Sequence, residues 1–199
     1  IWTGCTSTDW DEPTNWLDGS VPTATDDAVT PDVTNDPIIS TAAVARSVNV
    51  LVGGSLMVAS TGSLTINSDA SPLFTNSGTV VNEGTISLNT TASFNFHRLL
   101  NLETGTFTNN NVLQLGNSGS QTIRGIYNRG SFVNATGGSI SIAKCTGGIF
   151  QDAGSFVNNA DIVFSSVNNS ADSAAIVLFG GTFSNTPCSA TILDQPGCN

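Results

Sequence analysis

The residues best suited to chemistry lie in the middle of the chain. The bases of this stretch are His97, Arg98, Arg124, Arg129 and Lys144. An arginine can abstract a proton beside the carboxylate of a uronic acid, and two carboxylates can act as the acid and base of a glycoside hydrolase. Glu103 and Asp152 flank Arg129 at similar distances along the chain, so a surface ion-pair network is the alternative. Glu103, Arg129 and Asp152 are therefore the candidate catalytic residues.

A second set of reactive groups is the run of carboxylates near the start of the chain. More than half of the 15 acidic residues precede Arg46, the first base. Calcium prefers oxygen ligands of this kind, and Asp26, Asp27 and Asp32 are the candidate metal ligands. No EF-hand loop accompanies them, so a solvated acidic cap is the alternative. We expect no required cofactor, and Ca²⁺ is the candidate ion.

A short pattern, Gly-[Ser/Thr]-apolar-x-Asn, recurs with 24 to 27 residues between its glycines. It occupies residues 78–82, 105–109, 130–134, 154–158 and 181–185. Hydroxyl and apolar residues alternate within it, which places the hydroxyls on the outer face of a strand. The candidate ligand-binding residues of that face are Thr79, Thr106, Thr108, Ser131, Ser155 and Thr182. Such a regular face suits a glycan or an ice surface, although these residues are also good strand formers.

The period of this pattern indicates a solenoid with one coil per repeat. We expect an all-β fold, a parallel and right-handed β-helix solenoid of about six coils. Equivalent residues would stack into an inward apolar column of Leu56, Val80, Phe107, Phe132, Phe156 and Phe183. Beside it, an asparagine ladder would contain Asn82, Asn109, Asn134, Asn158 and Asn185.

The start of the chain does not follow the period, and it carries all three tryptophans. We expect residues 1–40 to form an N-terminal cap, with Trp2, Trp10 and Trp16 as its apolar lid. Residues 41–199 would form the β-helix, and the two parts together would make one domain.

The cap segment also contains a recognisable series of motifs. They are Trp2-Thr-Gly4, Asp9-Trp10, Asn15-Trp16, Gly19-Ser-Val-Pro22 and Asp26-Asp27. The series resembles the start of parallel β-helix regions in large secreted or surface-attached bacterial proteins, including adhesins and some polysaccharide-active proteins. The resemblance implies a β-helical fold and a place in a longer surface protein, and it leaves the activity open.

Composition limits the environment and the partners of the chain. Its net charge is −10 and only 10% of its residues are charged, which argues against nucleic acid as a partner. No apolar run reaches the length of a membrane span. The four cysteines suit an extracellular or cell-surface setting. Cys188 and Cys198 are expected to form a disulfide at the end of the solenoid, and the pairing of Cys5 and Cys145 stays open.

Three functions are compatible with these features. The first is an extracellular structural or adhesive module, which would contact a polysaccharide or cell-surface glycan, neighbouring modules of the same protein, or similar rods. The second is a polysaccharide lyase or glycoside hydrolase that acts across the third and fourth coils. The third is ice binding by the Ser/Thr face. Of these we favour the first, and we expect the chain not to be an enzyme.

Overall fold

The chain forms a β-solenoid of three parallel sheets, as the repeat predicts. The computed structural model describes residues 1–90, 97–116, 124–167, 175–186 and 191–194, with the backbone alone for residues 166–167 and 191–194. Helix in these residues is limited to a 3₁₀ turn at Pro13–Asn15, where the backbone N–H of Thr14 donates to the Glu12 side chain. The expected all-β fold is confirmed.

Each sheet contains seven strands. Sheet 1 consists of β1 (Asp27–Thr30), β4 (Ser47–Val50), β7 (Phe74–Asn76), β10 (His97–Asn101), β13 (Arg124–Asn128), β16 (Gly147–Gln151) and β19 (Ile176–Leu178). Sheet 2 consists of β2 (Ile38–Ile39), β5 (Ser55–Val58), β8 (Thr79–Asn82), β11 (Thr106–Asn109), β14 (Ser131–Asn134), β17 (Ser155–Asn158) and β20 (Thr182–Asn185). Sheet 3 consists of β3 (Ala42–Ala45), β6 (Ser63–Ser68), β9 (Thr85–Thr90), β12 (Val112–Leu115), β15 (Ser139–Cys145), β18 (Asp161–Val167) and β21 (Thr191–Asp194).

The chain passes through sheets 1, 2 and 3 in turn, so three strands make one coil. Residues 27–45 already contribute the first strand of every sheet, so strands begin inside the segment expected to form the cap. Successive coils pair in parallel without a shift in register, and this stacks equivalent residues of the repeat.

The inward column of sheet 2 is confirmed. Phe107, Phe132 and Phe156 are fully buried, and Leu56 and Val80 continue the column toward the N-terminus. The rings of Phe107 and Phe132 lie 4.8 Å apart and within 3° of parallel. Because strands of one sheet are spaced about 4.8 Å apart, rings in the same rotamer stack face to face.

Two amide ladders run along the solenoid, at the ends of sheets 1 and 2. The expected ladder on sheet 2 is confirmed: each side-chain Nδ2 donates to the Oδ1 of the next coil over 2.6 to 2.8 Å, from Asn82 to Asn185. A second ladder on sheet 1, which the repeat pattern did not reveal, contains Asn76, Asn101, Asn128 and Gln151. Both ladders are fully buried along most of their length, so the hydrogen bonds satisfy amides that would otherwise be costly to bury.

The three tryptophans form a buried lid at the N-terminal end. The ring of Trp16 packs edge-on against Trp2 and Trp10, with centroids 5.1 and 4.7 Å away. Its indole N–H donates to the carbonyl of Trp10 over 2.9 Å, so it points into the lid instead of toward solvent. Asn15 braces the lid from a buried position, since its Oδ1 accepts from the backbone of Thr6.

No helix in the described part of the chain has the length and apolar character needed to cross a membrane. Cys5 is exposed, Cys145 is buried, and both are free. The expected disulfide between Cys188 and Cys198 lies outside the described residues.

Candidate functional site

The candidate catalytic residues lie together at one edge of sheet 1. They occupy the connections that follow β10, β13 and β16. The backbone N–H of Arg129 donates to the carbonyl of Asn101, and that of Asp152 donates to the carbonyl of Asn128, over 2.8 and 2.9 Å. These bonds stack the connections, so the repeat brings residues far apart in sequence to one place.

Arg129 lies between the two carboxylates. Its Nη2 is 2.7 Å from Glu103 Oε1. Its Nε is 3.2 Å from Asp152 Oδ2, an ion pair by distance that lacks hydrogen-bond alignment. The side chains of Glu103, Arg129 and Asp152 are 65%, 40% and 30% exposed. The arrangement is the surface ion-pair network that the sequence offered as an alternative to catalysis, and the guanidinium fills the space between the carboxylates.

Tyr127 joins this network to a set of rings on the outer face of sheet 1. Its hydroxyl donates to Asp152 Oδ2 over 2.7 Å, and this hydrogen bond, with partial burial, raises the pKa of Tyr127. Tyr127 and Phe150 occupy the same position in successive coils. We call the outward rings of His97, Tyr127, Phe150 and Phe179 the aromatic row.

His97 begins the aromatic row. Its ring lies 4.6 Å from that of Tyr127 and 6.1 Å from that of Phe150. Burial, and then the charge of Arg124, lower the pKa of His97 to about 4, so the imidazole is neutral at pH 7. Its Nδ1 is buried without a hydrogen-bond partner. His97 therefore presents an unused polar atom beside the rings.

Phe150 and Phe179 continue the row. Their centroids are 6.1 Å apart and their planes differ by 17°. The ring of Phe150 lies over Gly147, where an added Cβ would come within 2.2 Å of that ring. The guanidinium carbon of Arg124 is 4.9 Å from the centroid of the Phe150 ring. Phe179 is 66% exposed. The aromatic row thus ends at the exposed ring of Phe179, and the Arg124 guanidinium lies beside the neighbouring ring of Phe150.

The sequence did not predict this row. Its signal was that Tyr127 and Phe150 each directly precede an amide residue, Asn128 and Gln151. Phe179 lies beyond β19 and gives no such signal, because its ring partner is known only once the coils are stacked.

Arg98, one of the central bases, is not part of this surface. It is fully buried, and its Nη1 and Nη2 donate to the carbonyls of Ala143 and Lys144 over 3.1 Å each. Gly116 leaves room for it, since a Cβ there would lie 2.4 Å from the guanidinium carbon. Burial raises the pKa of the neighbouring Cys145 thiol to about 11, although Arg98 acts in the opposite direction. Arg98 therefore has an internal, structural role.

The candidate metal ligands Asp26, Asp27 and Asp32 each have a local contact. Asp26 accepts hydrogen bonds from the hydroxyl and the backbone N–H of Thr23, which lower its pKa. Asp27 pairs with Arg46, and Asp32 packs against Gly53. Within the described ranges, no three His, Cys, Asp or Glu residues come together to hold a metal ion. Asp26 is instead held by local hydrogen bonds, and Asp27 by an ion pair with Arg46.

The candidate ligand-binding residues form a hydroxyl face on sheet 2. Thr79, Thr106 and Thr182 are exposed, and Ser131 and Ser155 are half-buried between them. All five occupy one position of the repeat. Thr108 is also half-buried, in the adjacent outward column. That column otherwise holds Met57, Val81, Val133, Val157 and Ser184. The hydroxyl face is therefore continuous in one column only.

Comparison with known proteins gives one finding. A family model described as a domain of unknown function (DUF8693) matches residues 1–111, from the tryptophan lid to the turn before β12. Neither the curated proteins nor the solved structures contain a match. The matched residues are more than half of the 199 in the chain. The chain therefore belongs to the family described as a domain of unknown function, DUF8693.

Proposed function

We propose that this chain is a structural and adhesive module of a larger bacterial surface protein, which acts outside the cell and contacts glycans through the hydroxyl face of sheet 2. The observation that carries the proposal is the column from Thr79 to Thr182, in which hydroxyls repeat at every strand. Hydroxyls both donate and accept hydrogen bonds, and at a spacing of about 4.8 Å they can pair with the repeated hydroxyls of a polysaccharide.

The second outward column favours a glycan over an ice surface. Val81, Val133 and Val157 interrupt the hydroxyls there, so the face has no continuous array of paired hydroxyls. A glycan needs only the single row, because its C–H groups can pack on the valines.

The interior supports the role of a rigid module. The stacked phenylalanines and the two amide ladders connect each coil to the next. A rigid surface loses little conformational entropy when it binds, so weak contacts along the column can add up to useful affinity. The pairing of Arg129 with both carboxylates gives no corresponding support to a lyase or a hydrolase.

A glycan array probed with the intact chain tests the proposal. The triple variant Thr79→Val, Thr106→Val, Thr182→Val removes three exposed hydroxyls and keeps the shape of the strands. Thr65→Val, on the outer side of sheet 3, is the matched control. We expect the triple variant to lose about tenfold or more in affinity for at least one class of glycan bound by the wild type, while the control keeps that affinity. Unchanged binding of every glycan by the triple variant, or no binding by the wild type, would contradict the proposal.

A further inference from the structure

The aromatic row on sheet 1 has features that its packing does not require. Phe179 is 66% exposed although it stacks on Phe150, and His97 Nδ1 is buried without a partner. Across the strands from β10 to β19, the row extends about 14 Å, or three strand spacings. Phe179 is the exposed ring of the row, His97 and Tyr127 are half-buried, and Phe150 is buried. An exposed ring beside half-buried rings and polar groups is typical of a surface that binds sugar rings.

The charges around the row indicate which sugar it would bind. Arg46 and Arg129 pair with carboxylates, and Arg98 is buried against carbonyls. Arg124 is exposed, and its described contact is with the ring of Phe150. An exposed guanidinium beside a ring is suited to bidentate pairing with a carboxylate. In a chain with a net charge of −10, this local cation favours an acidic ligand over a neutral one.

We propose that the aromatic row is a binding subsite for an acidic, uronate-containing glycan, with its sugar rings against Phe179 and Tyr127 and a carboxylate paired with Arg124. The subsite is separate from the hydroxyl face and does not depend on it. Two other occupants are distinguished by the test. A neutral glycan would contact the rings without pairing with Arg124, and a second copy of the chain would bury Phe179 with no sugar present.

Calorimetric titration with an oligogalacturonide and with its methyl ester tests this subsite. Phe179→Ala should lower the affinity for both ligands about tenfold or more, because it removes the exposed ring. Arg124→Gln should lower the affinity for the acid alone, by about tenfold, and should make the two ligands nearly equal. Added salt should weaken binding of the acid by the wild type.

Two matched variants serve as controls. Leu178→Ala removes an exposed apolar side chain next to Phe179, and Arg46→Gln removes a paired cation. Both, and the triple variant of the hydroxyl face, should bind the oligogalacturonide as the wild type does. Equal thermal melts of all variants would show that the folds are intact.

Four results would overturn the proposal. The first is no binding of the oligogalacturonide by the folded wild type. The second is an Arg124→Gln variant whose affinity falls equally for the acid and for its methyl ester. The third is a wild-type dimer that Phe179→Ala converts to a monomer, which would make a second copy the occupant of the row. The fourth is loss of oligogalacturonide affinity in the hydroxyl-face variant, which would place the ligand on sheet 2.

Discussion

The rings of Phe132 and Phe156 lie 4.5 Å apart and within 5° of parallel. Their strands pair in register, so the two side chains start from directly adjacent positions and point in the same direction. With Phe107 on the other side, Phe132 is stacked on both faces and fully buried. Phe132 therefore packs against core residues of both neighbouring coils.

Phe132→Ala should lower the free energy of unfolding by about 3–5 kcal/mol, because it opens a cavity and removes two ring contacts. Val133→Ala, on the outer side of the same strand, should cost about 1 kcal/mol or less. Urea denaturation of both variants measures the difference. Equal losses of unfolding free energy in the two variants would mean that the inward phenylalanine column stabilises the fold no more than the outward side chains do.

Asn109→Ala should destabilise the chain by about 2–4 kcal/mol. It removes one of the two acceptors of Asn82 Nδ2, which keeps the carbonyl of Val112, and it removes the donor to Asn134 Oδ1. Each buried group that loses a hydrogen bond in this way costs about 1–3 kcal/mol. Asn110→Ala is the control, since Asn110 donates to Glu83 at a partly buried site. Thermal melts compare the two. A ladder variant as stable as its control would show that water replaces the lost bonds.

The stability of the chain should depend on His97 between pH 7 and pH 5. The pKa of His97 is about 4 in the folded chain and 6.5 in the unfolded chain, so the unfolded state binds more protons in this window. Stability is therefore greatest above pH 6.5 and falls as the pH drops toward 4. The melting temperature of His97→Gln should fall less than that of the wild type over the same window. The lowered pKa values of Glu12 and Asp26 act below pH 4.5, outside it. Parallel curves for the two proteins would rule out this role for His97.

The two described thiols should differ sharply in reactivity. Cys5 is exposed, whereas Cys145 is buried with its pKa raised to about 11, so little thiolate forms at pH 7. Brief treatment with iodoacetamide and peptide mass spectrometry should find Cys5 modified and Cys145 unmodified. In urea, both should react. Rapid modification of native Cys145 would indicate that the coil around Arg98 opens readily.

Glu103→Gln tests the ion-pair interpretation of the candidate catalytic residues. Because the pair with Arg129 is exposed, its loss should change stability by at most about 1 kcal/mol. Neither the wild type nor this variant should release unsaturated or reducing ends from uronate-containing polysaccharides. Release by the wild type that Glu103→Gln abolishes would instead establish this cluster as an active site.

The sequence predicted those parts of the fold that repeat. Phe132 and Asn109 recur in the same position of each coil, and a parallel stack converts equal spacing into direct contact. The candidate residues Glu103, Arg129 and Asp152 also meet for this reason. Their pairing around Arg129 follows from the register of the stack, but the hydrogen bond from Tyr127 to Asp152 does not.

Other features depend on departures from the repeat. Arg98 and Leu99 are consecutive and both fully buried, so strict alternation fails at this point and the sequence does not show that Arg98 is internal. The ring of Phe179 meets Phe150 only because a short connection follows β19. The local partners of the candidate metal ligands could not be predicted, because carboxylates close in sequence can each find a different partner, as Asp26 does with Thr23.

The two amide ladders have a direction, since each Nδ2 donates toward the following coil. Each coil inside the ladders therefore receives from the coil before it the same amide contacts that it gives to the coil after it. A whole coil can be duplicated or deleted by recombination without changing the chemistry at either junction. The length of the rod can consequently evolve in increments of one strand spacing, about 4.8 Å, so the number of repeats sets how far apart it holds whatever is joined to its two ends.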